Sequence, residues 1–154
     1  TGLLGYDPKG TPNNIFPLIT NTALGIQKEL KIYGNDWPTK DGTAIRDYIH
    51  VMDLAEAHVK ILEFLSEKNS TCLNINVGTG QGTSVLDLVR TFENVNNIKI
   101  PFIFANRRKG EVAQLVSDNT FLKLEFNFSP KRSLKDMCRD GWKWQRLNPR
   151  GYKK

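Results

Sequence analysis

Two short stretches of the sequence place arginines where an anionic ligand could be met. Ile45-Arg46-Asp47-Tyr48-Ile49 sets a guanidinium among strand formers directly after a long polar loop. Ala105-Asn106-Arg107-Arg108-Lys109-Gly110-Glu111 sets two more at a strand end, before a glycine turn and beside an acid. A guanidinium is a planar fork of N–H donors that matches phosphate oxygens two at a time, so either stretch could hold a phosphorylated ligand. Taken alone, the residues also allow a surface ion pair for Arg46-Asp47 and a solvated basic loop for the second stretch. A third candidate is Gly78-Thr79-Gly80-Gln81-Gly82-Thr83-Ser84, a glycine-rich turn between a strand pattern and a helix pattern, the setting of a dinucleotide fingerprint. Its third glycine position is Thr83, however, and no acidic residue stands near position 98 to meet a ribose. A tight turn capped by Thr83 or Ser84, with Asp87 in the first helical turn, accounts for the same residues.

The elements that must position these groups follow from periodicity. Asn13 or Asn14 can cap a helix whose apolar residues Ile15, Leu18, Ile19, Ala23, Leu24 and Ile26 recur at helical spacing, with Pro17 tolerated in its first turn. Leu30-Lys31-Ile32-Tyr33 reads as a short strand. The Pro- and Gly-punctuated loop 34–43 then leads to the strand around Arg46. Asp53 is expected to cap a helix running to about Lys68, with Glu56, Lys60 and Glu63 as its one polar stripe and apolar residues on several sides. Thr71–Val77 reads as a buried strand. A helix on Val85, Leu88, Val89 and Phe92 follows the glycine turn, then a strand over Ile98–Phe104. A short helix over Asn119–Leu124 precedes a last helix capped by Ser133 and supported by Asp136. The fold class is α/β: several short strands, some parallel, with four main helices.

At 154 residues the chain suffices for one domain of ordinary size. A net charge of +6 and a pI near 9.4 raise the question of nucleic acid. The basic residues are scattered, with only short clusters at Arg107-Arg108-Lys109, Lys131-Arg132 and Lys153-Lys154, so no nucleic-acid partner is expected. No apolar run approaches the ~20 residues of a membrane span, and no charged-then-apolar leader opens the chain, which is expected to be soluble. Cys72 and Cys138 have no CxxC or His partner at ligand spacing; two buried, reduced thiols are expected and no metal site. His58 lacks a nearby second ligand and reads as structural. The sequons at Asn69 and Asn127 carry little weight without a secretion signal.

The run PTKDGTAIRDYIHVMDLAEAH closely resembles the UDP-glucose 4-epimerase (UDP-galactose 4-epimerase) family of the extended short-chain dehydrogenases/reductases. GYDPKGTPNN, LNINVGTGQGTSVLDLV, RRKGEVAQLVSD and GWKWQRLNPRGY carry the resemblance over nearly the whole chain. It implies that Asn14 and Ile15 contact the UDP portion, that Lys31, Ile32 and Tyr33 lie against uracil, and that Arg46 and Arg108 hold the diphosphate. It also implies ribose contact by Glu111, a substrate contact for Tyr48, and Leu115 beside the hexose, where it leaves more room than tyrosine and so suggests tolerance of N-acetylated sugars.

The same resemblance implies NAD-dependent epimerisation of UDP-glucose and UDP-galactose in galactose metabolism, by a cytoplasmic homodimer. The family's GxxGxxG and Tyr-x-x-x-Lys motifs are absent, since no tyrosine here is followed four residues later by lysine. Residues 1–154 therefore read as a single UDP-sugar-binding domain, the C-terminal half of an epimerase, with no catalytic or cofactor-binding residues and with NAD bound by the missing N-terminal half. The helix from Asp53 to Lys68 then has an apolar face to cover, and self-association is expected. The alternative is a stand-alone UDP-sugar-binding domain without catalysis.

Overall fold

The computed structural model describes residues 2–7, 10, 12–68 and 71–152; Asn69 and Ser70 of the first sequon and the pair Lys153-Lys154 lie outside the described residues. The chain runs α1 (Ile15–Ala23), β1 (Leu30–Tyr33), β2 (Ile45–Arg46), α2 (Val51–Ser66), β3 (Thr83–Ser84), α3 (Val85–Asn96), β4 (Phe102–Ala105), β5 (Gln114–Leu115), α4 (Thr120–Phe126) and α5 (Leu134–Leu147). β1 pairs in parallel with β4, from Leu30 opposite Phe102 to Tyr33 opposite Ala105. β2 is the centre of a second sheet, antiparallel to β3 and parallel to β5, with Arg46 opposite both Thr83 and Leu115. The α/β class, the mixture of parallel pairs and the helix order agree with the sequence pattern.

Helix α3 shows how the core forms. The Ser84 hydroxyl accepts from the Asp87 N–H and caps the helix, Asp87 stands in its first turn, and Asn97 ends it in the left-handed region at φ 52°. Its buried face of Leu86, Leu88, Val89 and Phe92 meets Ile19 of α1, Leu30 and Ile32 of β1, and Cys138 of α5. Each such side chain contributes roughly 1.5–3 kcal/mol on burial. Phe92 sits between two aromatic partners, Phe16 at 6.1 Å and Trp142 at 5.9 Å, both edge to face. Phe16 also explains a glycine in the middle of α5. A Cβ on Gly141 would lie 2.3 Å from the Phe16 ring, so close approach of α1 outweighs the helix cost of glycine. The capping box of α5 is complete: the Ser133 hydroxyl accepts from the Asp136 N–H, and the Asp136 carboxylate accepts from the Ser133 N–H.

Several expectations are corrected. His50, not Asp53, caps α2: its Nδ1 accepts from the Met52 N–H at 3.1 Å. Asp53 falls three residues later, fully buried, where its carboxylate receives the Arg132 N–H at 2.9 Å and the Arg132 guanidinium at 2.5 Å. Arg132 also donates to Glu56 at 2.7 Å, so α2 is tied to the segment before α5 by one shared arginine. Residues 71–77 form no strand, because no described segment offers them a ladder. Ile75 and Val77 pack on a second cluster of Ala57, Leu122, Phe126 and Phe128, while Leu73 stays 38% exposed. Cys72, in this segment, is exposed rather than buried; Cys138 is buried as expected. The strand expected over 98–104 begins only at Phe102. α2 itself buries only Asp53 and Ala57, and Val51, Val59 and Leu62 are more than half exposed.

Candidate functional site

The polar residues singled out above converge on a cleft of about 660 Å³ between α1, β1, β2 and the loop after β4. Asn14, Ile15, Lys31, Ile32 and Tyr33 line it. Arg46, Tyr48, Arg108 and Glu111 line it too. Leu115 does not line the cleft: it stands next to Arg46 in the β2–β5 register and is 64% exposed. Asn13, Asp47, Val85 and Met137 are among the further lining residues that were not expected there.

Each side chain is placed by a local cause. Asn14 occupies the N-cap position of α1, yet its side chain makes no capping hydrogen bond, which leaves its amide available to the cleft. Lys31 to Tyr33 enter through β1, whose ladder continues beyond the strand when Gly34 N–H donates to the Ala105 carbonyl at 2.8 Å. Arg46 does not pair with its neighbour Asp47. Its Nη1 donates to the carbonyls of Ile45 at 2.8 Å and Val112 at 3.0 Å, which fixes the stem and leaves the guanidinium without a carboxylate among the described residues. The Tyr48 hydroxyl is buried and has no hydrogen-bond partner among the described residues. Burial pushes its pKa up to about 12, against the opposing pull of Arg46, so it remains a neutral phenol able to donate. Arg108 lies over the Tyr33 ring at 3.9 Å, with its Nη1 4.0 Å from Glu111.

The two adjacent arginines part company. Arg107 turns away, stacks on Trp37 at 3.9 Å and donates from Nε to the Asp36 carboxylate at 2.8 Å. That hydrogen bond holds the Asp36 carboxyl below the usual carboxylate range. Of the two arginines that this stretch offers to a phosphate, Arg108 lines the cleft, while Asp36 and Trp37 in the loop after β1 hold Arg107.

The glycine-rich turn is also settled by hydrogen bonding. Asp47 Oδ1 accepts from the Thr79 N–H at 3.0 Å and from the Thr79 hydroxyl, while Oδ2 accepts from the Gly80 N–H at 2.9 Å. A Cβ on Gly78 would meet Asp47 Oδ2 at 2.5 Å. The amides that a dinucleotide pyrophosphate would need are thus occupied by a carboxylate of the chain itself, and the turn does not fit NAD. This agrees with its reading as a structural turn.

A second, mostly apolar cavity of about 510 Å³ adjoins the first and shares Asn14, Phe16, Ile49 and Met137 with it. His50 lies at its wall, 3.5 Å from Asp140, and was overlooked in the sequence; the aspartate three residues after it is the N-terminus signal that could have found it. His58 is exposed, with its Nδ1 2.7 Å from the Leu54 carbonyl of its own helix. Among the described residues no group of three or more His, Cys, Asp and Glu side chains is placed to hold a metal. Among the described residues no helix is long and apolar enough to cross a membrane.

The chain has counterparts among known proteins. Residues 6–141 match the family profile described as GDP-mannose 4,6 dehydratase. A UDP-glucose 4-epimerase of Bacillus subtilis is 48% identical over 154 residues, covering 99% of this chain and 45% of the relative. The UDP-glucose-4-epimerase of Stenotrophomonas maltophila, solved with NAD and a formylated UDP-arabinopyranose, is 44% identical with a TM-score of 0.92 over 97% of this chain and 44% of that one. The Bifidobacterium longum UDP-glucose 4-epimerase, solved with NAD+ and UDP, is 38% identical with a TM-score of 0.92 over 98% of this chain and 44% of that one. The chain thus spans somewhat under half the length of the curated relatives it matches, and its fold is part of an extended short-chain dehydrogenase/reductase architecture.

Proposed function

From the premise that the chain belongs to the family described as GDP-mannose 4,6 dehydratase, we propose that residues 1–154 form the UDP-sugar-binding domain of a UDP-glucose 4-epimerase. The observation that carries this reading is the cleft itself, where Arg46, without a carboxylate partner among the described residues, and Arg108 stand together with Asn14, Tyr48 and Glu111. Two guanidiniums on one cleft match the charge and fork geometry of a diphosphate. Asn14 and Ile15 meet the UDP portion, the backbone of Lys31, Ile32 and Tyr33 reads uracil, and Glu111 accepts from ribose hydroxyls. Tyr48 donates from its buried hydroxyl. Leu115 lies outside the cleft wall, and its exposed side chain borders the hexose only if the sugar extends past Arg46.

The intact protein, on this reading, interconverts UDP-glucose and UDP-galactose as a soluble homodimer in galactose metabolism. The NAD of that reaction is held outside this chain, whose glycine-rich turn at 78–80 has its amides taken by Asp47. Catalysis is then absent from the chain alone, and the exposed apolar residues of α2 are covered in the intact protein.

Calorimetric titration of the chain with UDP and UDP-glucose tests the assignment. Saturable binding is expected, lost by more than about tenfold in Arg46→Ala/Arg108→Ala, since hydrogen bonds to charged groups are worth about 1.5–3 kcal/mol each. Absence of binding by the folded chain, or equal binding by the double variant, rejects it. Epimerisation by this chain supplied only with NAD would reject the division of labour.

A further inference from the structure

The aromatic ring of Tyr33 suits a base platform by its type, but its neighbours give it a different task. Tyr33 and Ala105 are the last paired residues of β1 and β4, so the segments that leave the two strands run side by side. Each of the two arginines after Ala105 lies on an aromatic ring from the other segment: Arg107 on Trp37 and Arg108 on Tyr33, both at 3.9 Å from the ring centre. Arg107 is further fastened to Asp36, through the carboxylate at 2.8 Å and the carbonyl at 2.6 Å. The stem of Arg108 therefore starts from a stapled loop, and its guanidinium lies over the Tyr33 ring. A cation held over a ring face by its charge still has N–H donors to offer a ligand, and Arg108 lines the cleft.

Resting on the nucleotide-sugar reading above, we infer that Tyr33 is a positioning residue for Arg108: its ring orders the diphosphate-binding guanidinium before the ligand arrives, and does not stack on uracil. An arginine that must be immobilised on binding costs affinity, and a ring that has already ordered it removes that cost. Tyr33→Leu should weaken UDP binding about three- to tenfold, a range set by that ordering cost and by the cation–π contact. Tyr33→Phe retains the face and should stay within about twofold.

The test is a double-mutant cycle on the full chain, with UDP as ligand and Arg46 left in place so that binding remains measurable. If Tyr33 acts through Arg108, Tyr33→Leu loses its effect in the Arg108→Ala background. An equal loss in both backgrounds, or no loss in either, overturns the inference. A second measurement needs no variant. Ring current from Tyr33 should shift the Arg108 side-chain protons upfield in the free chain, and saturation with UDP should leave that shift in place. Disappearance of the shift, with an upfield move of the uracil protons, would show that the base has displaced the guanidinium and overturn the inference. Failure of the parent chain to bind UDP at all would instead remove the nucleotide-sugar reading, and this inference with it.

Discussion

Asp47 holds the strand that carries Arg46 to the glycine-rich turn, and removing it should cost stability in two steps. Its Oδ1 accepts from the Thr79 N–H and hydroxyl, and its Oδ2 from the Gly80 N–H at 2.9 Å and the Ser117 N–H at 3.3 Å. Hydrogen bonds to a charged group contribute about 1.5–3 kcal/mol each when buried. Asp47 is half-buried and Gly80 exposed, so water replaces part of this set. Counting the two shorter amide bonds at the low end and the others as minor gives roughly 3–4 kcal/mol for Asp47→Ala. Asp47→Asn keeps one acceptor oxygen but turns an NH2 group toward the donors on the other side, so roughly 2 kcal/mol is expected. For a chain of this size each kcal/mol moves Tm by about 2–4 °C, which places Asp47→Ala roughly 6–16 °C below the parent. Urea unfolding should show the same order as a shift in midpoint at unchanged slope. The reasoning fails if Asp47→Ala lies within about 1 kcal/mol of the parent, a loss too small for broken charge-assisted bonds. It fails equally if NAD raises the midpoint of the parent chain, because the turn would then be holding a phosphate in spite of the carboxylate.

Tyr48→Phe removes a buried hydroxyl that has no partner in the described chain, so stability should be unchanged or up to about 1 kcal/mol higher in urea. If the hydroxyl donates to the ligand, the same variant loses up to about tenfold in UDP affinity, and a loss of stability without a loss of affinity would refute its placement in the cleft. The two thiols should separate in a native-state reaction with a chromogenic disulfide reagent: Cys72, exposed, reacts at once, while Cys138, fully buried and pushed up to about 12 by that burial, reacts only as fast as the chain unfolds. Two fast thiols would contradict the packing of α5. The Asp136 carboxyl is held well below the usual carboxylate range, first by the Ser133 hydroxyl, then by the Ser133 N–H and Arg139. Its folded-state pKa being the lower one, its stabilisation is fully present above the unfolded value of ~3.9 and is lost as pH falls toward the folded value. Asp136→Asn should therefore flatten the acid limb of the stability curve below about pH 4 and leave its shape near neutrality unchanged.

The parts of the fold that could be read directly were those fixed by local chemistry. Ser84 and Ser133 are short hydroxyl caps with an acid three residues on, and both cap as their spacing requires. The cap of α2 was misplaced because aspartate outranks histidine as a cap, while here Asp53 is taken by Arg132, a partner 79 residues away. The same kind of distant competition decided the site. Arg107 and Arg108 are chemically identical in sequence, and only Asp36 and Trp37, far off in the chain, separate the structural arginine from the one that faces the cleft. Arg46-Asp47 reads in sequence as an ion pair or a phosphate clamp; β2 ends at Arg46, and each side chain has its own distant partners, the Val112 carbonyl for one and the glycine turn for the other. Segment 71–77 has the alternation of a strand, yet alternation specifies a strand only when a neighbour supplies the ladder, and among the described residues none does. Its exposed Leu73 and the exposed Val59 and Leu62 of α2 are apolar residues left outside both cores of this chain. If they are covered in a longer protein, replacing Leu62 with lysine should suppress self-association of this chain in light scattering while leaving UDP affinity intact, because α2 lends no Leu62 contact to the cleft. Concentration-independent scattering by the parent chain would mean that these residues need no cover at all.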